Sequence, residues 1–149
     1  MPPAPSSSRL TPGLVQVVAD PNVLVSAAVT PNGVCAQILA RLLNSPLELV
    51  ASPLLLDEVE RVLWRPRFDQ LAPALRASYV AFLHRIARIE EDPVPTEGRL
   101  VAADPGDDYL VLLTLAGDRR LLVTGDRHLL DLAGEYPIVS PRELFDRLA

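Results

Sequence analysis

Apolar residues along the chain fall into two spacings. Near-continuous Val- and Leu-rich runs at 14–19 and 121–124 predict strands buried on both faces, the kind found in parallel sheets, and 47–51 reads as a further strand. Elsewhere apolar residues recur at helical spacing. Val34, Ile38, Leu39, Leu42 and Leu43 form one stripe, ended by Asn44-Ser45-Pro46. The stretch before it, with Asn22, Pro31, Asn32 and Gly33, reads as a loop. Leu55, Val59, Val62 and Leu63 form a second stripe. Ser52 opens it as a hydroxyl cap with Pro53 at the first helical position, and it ends near Arg65-Pro66. Leu75, Tyr79, Phe82, Leu83 and Ile86 predict a helix from Pro73 to about Arg88. A loop at 90–98 follows, with a short strand around 88–90. Asp104-Pro105-Gly106-Asp107-Asp108 opens a helix through about Ala116, with Asp104 and Asp107 spaced like an N-cap and its N3 partner. A short helix at 127–133, an edge strand at 137–139 and a last helix from Pro141 complete the pattern. Strands alternate with helices, which predicts an α/β fold: a three-layer α/β/α sandwich around a central, mostly parallel, twisted sheet.

Composition narrows the class. The chain has 149 residues, enough for one domain, expected at 14–149 behind a flexible Pro- and Ser-rich tail at 1–13. No apolar stretch reaches bilayer length, so a soluble protein with no membrane association is expected. Cys35 is the one cysteine, which excludes an intrachain disulfide and fits a cytoplasmic location. The net charge of −5 argues against a general nucleic-acid coating protein, so any phosphate contact is local or mediated by cations. All 14 basic residues are Arg, which excludes every mechanism that needs a lysine.

The candidate chemistry is acidic. Asp20 and Asp126 each follow a buried strand, and ligands of open parallel sheets bind beyond the carboxyl ends of strands. Glu58 lies one turn into the helix after the second strand, and Asp107 stands at the start of the helix before the Asp126 strand. Such carboxylates repel one another unless a cation or proton joins them. An all-oxygen set without paired His or Cys favours Mg²⁺ or Mn²⁺, ions that activate water and orient phosphates for in-line displacement. Each acid also has a plainer reading. Asp20 and Asp126 suit turns or caps, Asp107 suits a cap, and Glu58 shares a solvated helix face with Asp57 and Glu60. Arg61, Arg65 and Arg67 near the end of the Glu58 helix, and Arg127 after Asp126, are of a type that grips phosphates, although surface solubility is the plainer reading for each except Arg127.

Five blocks in order resemble the PIN domain ribonucleases, over roughly residues 15–148. Asp20-Pro21-Asn22-Val23-Leu24-Val25-Ser26-Ala27 is similar to the family opening D-x-N-V-L-V-S-A. Ser52-Pro53-Leu54-Leu55-Leu56-Asp57-Glu58-Val59 resembles the second block, and Asp104-Pro105-Gly106-Asp107-Asp108-Tyr109 the D-P-D-D block. Leu122-Val123-Thr124-Gly125-Asp126-Arg127-His128-Leu129-Leu130 and Ile138-Val139-Ser140-Pro141-Arg142-Glu143 resemble the last two. The subgroup most similar is the set of toxin components of toxin–antitoxin systems, akin to VapC. The resemblance implies a PIN-like fold and a Mg²⁺- or Mn²⁺-dependent endoribonuclease. It implies catalytic and metal-holding roles for Asp20, Glu58, Asp107 and Asp126, with Asp108 as the alternative to Asp107. It also implies supporting roles for Asn22 and Thr124, a homodimer, and a small antitoxin partner. Arg127 and Arg65 are the candidates for RNA contact. The chain departs from the family pattern at Pro21, Gly106 and His128. Two other readings compete. One is a catalytically weak scaffold of the same fold binding RNA or protein. The other is a haloacid-dehalogenase-type phosphatase, against which stand Asn22 in place of its second acid and the missing lysine.

Overall fold

The computed structural model describes residues 15–45, 47–94 and 105–148. The tail at 1–13 and Asp104, with its expected capping role, lie outside the described residues. Five strands, β1 (Gln16–Ala19), β2 (Glu48–Ala51), β3 (Arg88–Ile89), β4 (Arg120–Val123) and β5 (Ile138–Val139), form one sheet in the order β3-β2-β1-β4-β5. Every pairing is parallel, with Val18 of β1 opposite Val50 on one side and Leu122 on the other. β1 is central, and Val17 and Val18 are fully buried, as a strand covered on both faces requires.

The helices are α1 (Pro21–Val29), α2 (Val34–Leu43), α3 (Pro53–Leu63), α4 (Pro73–Ile86), α5 (Asp108–Leu115), α6 (Arg127–Leu130) and α7 (Pro141–Leu148). α1 packs on α2 and α3, α3 on α4, and α2 on α7, whereas α5 packs on β1 and β4. The crossovers from β1 to β2 to β3 and the return from β3 to β4 run in opposite directions. Right-handed connections therefore put their helices on opposite faces of the sheet. The result is an α/β/α sandwich, cored by side chains such as Leu55, Leu63, Leu83, Leu110 and Leu122. No single described helix is long and apolar enough to cross a membrane.

Three expectations need correction. The stretch after β1 is a helix, not a loop. Asp20 caps α1 by accepting the Asn22 N–H at 3.0 Å, and Pro21 takes the first helical position, where its missing N–H costs nothing. The chain turns only at Thr30, before Pro31-Asn32-Gly33. At the other helix start, the N-cap residue of α5 is Asp107, preceded by a 3-10 turn at Pro105–Asp107, and its side chain makes no capping hydrogen bond. The short helix after Asp126 also closes sooner than expected, at Leu130.

Candidate active site

Strand order reverses between β1 and β4. β2 and β3 lie to one side of β1, and β4 and β5 lie to the other. The loops leaving β1 and β4 therefore part at their carboxyl ends, and a crevice opens there. Asp20 follows β1, and Thr124, Gly125 and Asp126 follow β4.

Thr124 ties the two strand ends together. Its fully buried hydroxyl donates to Asp20 Oδ2 at 2.7 Å and accepts the Asp126 N–H at 3.0 Å. Asp20 Oδ1 accepts the Asn22 N–H, and Asp126 Oδ1 accepts the His128 N–H at 2.8 Å, capping α6. Capping and facing the crevice are compatible, because each carboxylate oxygen has two acceptor sites.

The other two acids reach the same place from different elements. α3 is anchored at its start by the buried Ser52 hydroxyl, which accepts the Leu55 N–H, and by Asp92, which accepts the Leu54 N–H at 2.9 Å. That anchoring sets the height of Glu58, whose Oε1 accepts from Arg61 Nη1 at 2.6 Å. Asp107 arrives with the 3-10 turn before α5.

Asp20, Glu58, Asp107 and Asp126 all line one cavity of about 270 Å³, together with Asn22, Arg65 and Tyr109. Asp108 faces a neighbouring cavity with Leu54, Pro93 and Leu112. Arg127 and His128 are exposed and outside the lining. Sequence reasoning passed over Asp92 and Tyr109. Asp92 carries no local signal, since its partner is 38 residues away. Tyr109 stands within an acidic block that drew attention to its neighbours.

The cavity is electrostatically unbalanced. Asp20 is 5% exposed, and burial pushes its carboxyl above the usual range; the charge of Asp126 adds to this, while hydrogen bonds from Asn22 and Thr124 hold it back. Tyr109 is raised well above the ordinary phenol range, first by burial and then by the charges of Glu58, Asp20, Asp107 and Asp92. A hard divalent cation fits this oxygen-only donor set in kind. Among the described residues, however, no three acidic, His or Cys side chains stand close enough together to cage an ion as arranged here.

Comparisons with known proteins bear on the family and the fold. Residues 16–128 match the family model described as PIN domain. The fold resembles the crystal structure of PAE2754 from Pyrobaculum aerophilum, with a TM-score of 0.60 and 22% identity, over 97% of this chain and 98% of that one. At that identity the likeness carries the fold alone. No curated protein sequence matches the chain.

Proposed function

Because the chain belongs to the PIN domain family, whose members are generally nucleases, we propose that it is a Mg²⁺- or Mn²⁺-dependent endoribonuclease that hydrolyses RNA phosphodiester bonds. One observation carries the reading: carboxylates delivered by the end of β1, by α3, by the turn before α5 and by the end of β4 line one cavity at the switch point of the sheet. Asp20, Glu58, Asp107 and Asp126 would hold the cation. When bound, it supplies positive charge for the scissile phosphate and a water of lowered pKa. Thr124 orients Asp20 through one hydrogen bond and fixes the Asp126 backbone through the other. Arg65 lines the cavity and would grip a phosphate oxygen at its rim, whereas Arg127 stands outside the lining.

The role of toxin, held in check in the cytoplasm by a small antitoxin, extends the same reading. A protein partner or a second copy of the chain finds support in an apolar groove of about 430 Å³ lined by Leu63, Leu71, Leu75 and Phe82. Leu75 is largely exposed.

The test is incubation of the purified chain with mixed RNA and Mn²⁺ or Mg²⁺, beside Asp20→Asn and Asp126→Asn. Cleavage by the intact chain, lost in both variants and in EDTA, is the expected result. Cleavage that survives both substitutions, or EDTA, contradicts the proposed chemistry. Binding of RNA without cleavage by the intact chain favours the scaffold reading.

A further inference from the structure

Three features of the acidic cavity have no part in the chemistry above. Among the described residues, the buried Tyr109 hydroxyl has no hydrogen-bond partner, an arrangement that costs stability. Tyr109 lines the same cavity as Glu58, and Glu58 is the charge that acts most strongly on its hydroxyl. Glu58 itself is engaged with Arg61, a side chain 65% exposed, in the arrangement where no three acids stand close enough to cage an ion.

We infer that Tyr109 is a positioning residue: when a divalent cation enters, Glu58 leaves Arg61, swings across the cavity that it already lines and accepts a hydrogen bond from the Tyr109 hydroxyl. The inference rests on the metal-dependent reading of the site. The exchange is energetically accessible because an i,i+3 ion pair whose Arg61 end is largely exposed and whose Glu58 end is partly exposed contributes little. It also suits the chemistry. A neutral phenol fixes the direction of a carboxylate and leaves its full negative charge for the cation, whereas a guanidinium cancels that charge. The unpaired hydroxyl is then a donor awaiting the loaded state.

The experiment compares the wild-type chain, Tyr109→Phe and Arg61→Ala by calorimetric Mn²⁺ titration, thermal melting without metal, and RNA cleavage. Removing a partner that orients a metal-holding side chain typically costs about 10- to 100-fold in affinity or activity. Tyr109→Phe is therefore expected to bind Mn²⁺ at least about tenfold more weakly and to lose kcat more than KM. Its melting temperature without metal should equal or exceed that of wild type, since an unpaired hydroxyl has gone. Arg61→Ala should bind Mn²⁺ a few-fold more tightly. If wild type binds Mn²⁺ and cleaves RNA but Tyr109→Phe matches it in affinity and turnover, the positioning role is overturned and the ribonuclease reading stands. If Tyr109→Phe melts lower in step with its loss of affinity, the tyrosine is a packing residue and the inference is overturned. If wild type itself neither binds Mn²⁺ nor cleaves, the inference falls together with the reading on which it rests.

Discussion

Glu90 and Asp20 are both carboxylates close to the sheet, and the chain treats them in opposite ways. Glu90 Oε2 accepts from Arg120 Nη2 at 2.5 Å and from Arg88 Nε at 3.3 Å. Arg120 is buried, and its other nitrogens donate to Gln16 Oε1 at 2.8 Å and the Leu113 carbonyl at 2.8 Å. The chain supplies every charge and donor that this network needs, and the Glu90 carboxyl is accordingly held below its ordinary range, chiefly by the Arg120 hydrogen bond. Asp20 receives only neutral donors, Asn22 N–H and Thr124 Oγ1, and faces the charge of Asp126 across the crevice. Its carboxyl is pushed up. An acid whose balance is closed within the chain holds the fold together. Asp20, buried with neutral donors and no cationic partner among the described residues, is a carboxylate whose balance an external cation would complete.

Substitutions at the two places sharpen this contrast. The largest effect is expected from Asp20→Asn. RNA cleavage should fall by at least about 10²-fold, the scale for loss of one group that stabilises the transition state. Its metal-free melting temperature should hold or rise, because Asn still caps α1 and the buried charge has gone. A loss of activity that merely tracks a loss of folding would break the contrast. Thr124→Val keeps the shape and removes both hydrogen bonds that link Asp20 to Asp126, so cleavage should drop by about 10- to 100-fold. Glu90→Gln belongs to the other side. It should destabilise the fold by about 2 kcal/mol, since Arg120 loses a charge-assisted partner, and leave kcat unchanged in the folded fraction. Urea unfolding alongside turnover separates the two outcomes.

The smallest and most specific effect is in pH. Glu90 has a depressed pKa, so its contribution to stability is complete above the unfolded value of 4.5 and fades as pH falls through the lower folded value. Asp20 has a raised pKa. Its contribution is fullest below the unfolded value of 3.8 and is lost as pH rises through the higher folded value. Metal-free unfolding across this range should therefore show the deficit of Glu90→Gln shrinking towards low pH, and any gain of Asp20→Asn growing towards neutral pH. Parallel pH profiles for the two variants would mean that the two carboxylates are not treated differently after all.

Much of this organisation is legible in the sequence because burial and capping are local. The Val- and Leu-rich runs at β1, β2 and β4 announce a parallel sheet, and Ser52-Pro53 announces α3. Asp20 and Asp126 stand out because they follow such runs. The helix α1 was not legible, because Pro21 and Asn22 read as breakers until Asp20 is seen accepting the Asn22 N–H. Nor could local pattern reveal that Glu58 is paired with Arg61, that Asp92 anchors the start of α3, or that Tyr109 carries an unpaired hydroxyl. The role of Asp92 depends on tertiary approach, and the state of Glu58 and Tyr109 depends on which rotamer the side chain takes. The choice of Asp107 over Asp108 as the residue lining the cavity also required the 3-10 turn, which sets the direction of each side chain.

The central claim is that the acids around Asp20 are assembled for an external divalent cation. Calorimetric titration of Mn²⁺ into the purified wild-type chain and into Asp20→Asn tests it most directly. The account predicts saturable binding to wild type that is at least about tenfold weaker in the variant and that raises the wild-type melting temperature as ligand linkage requires. Absence of saturable binding to a folded wild-type chain, or equal affinity in the two proteins, would contradict it.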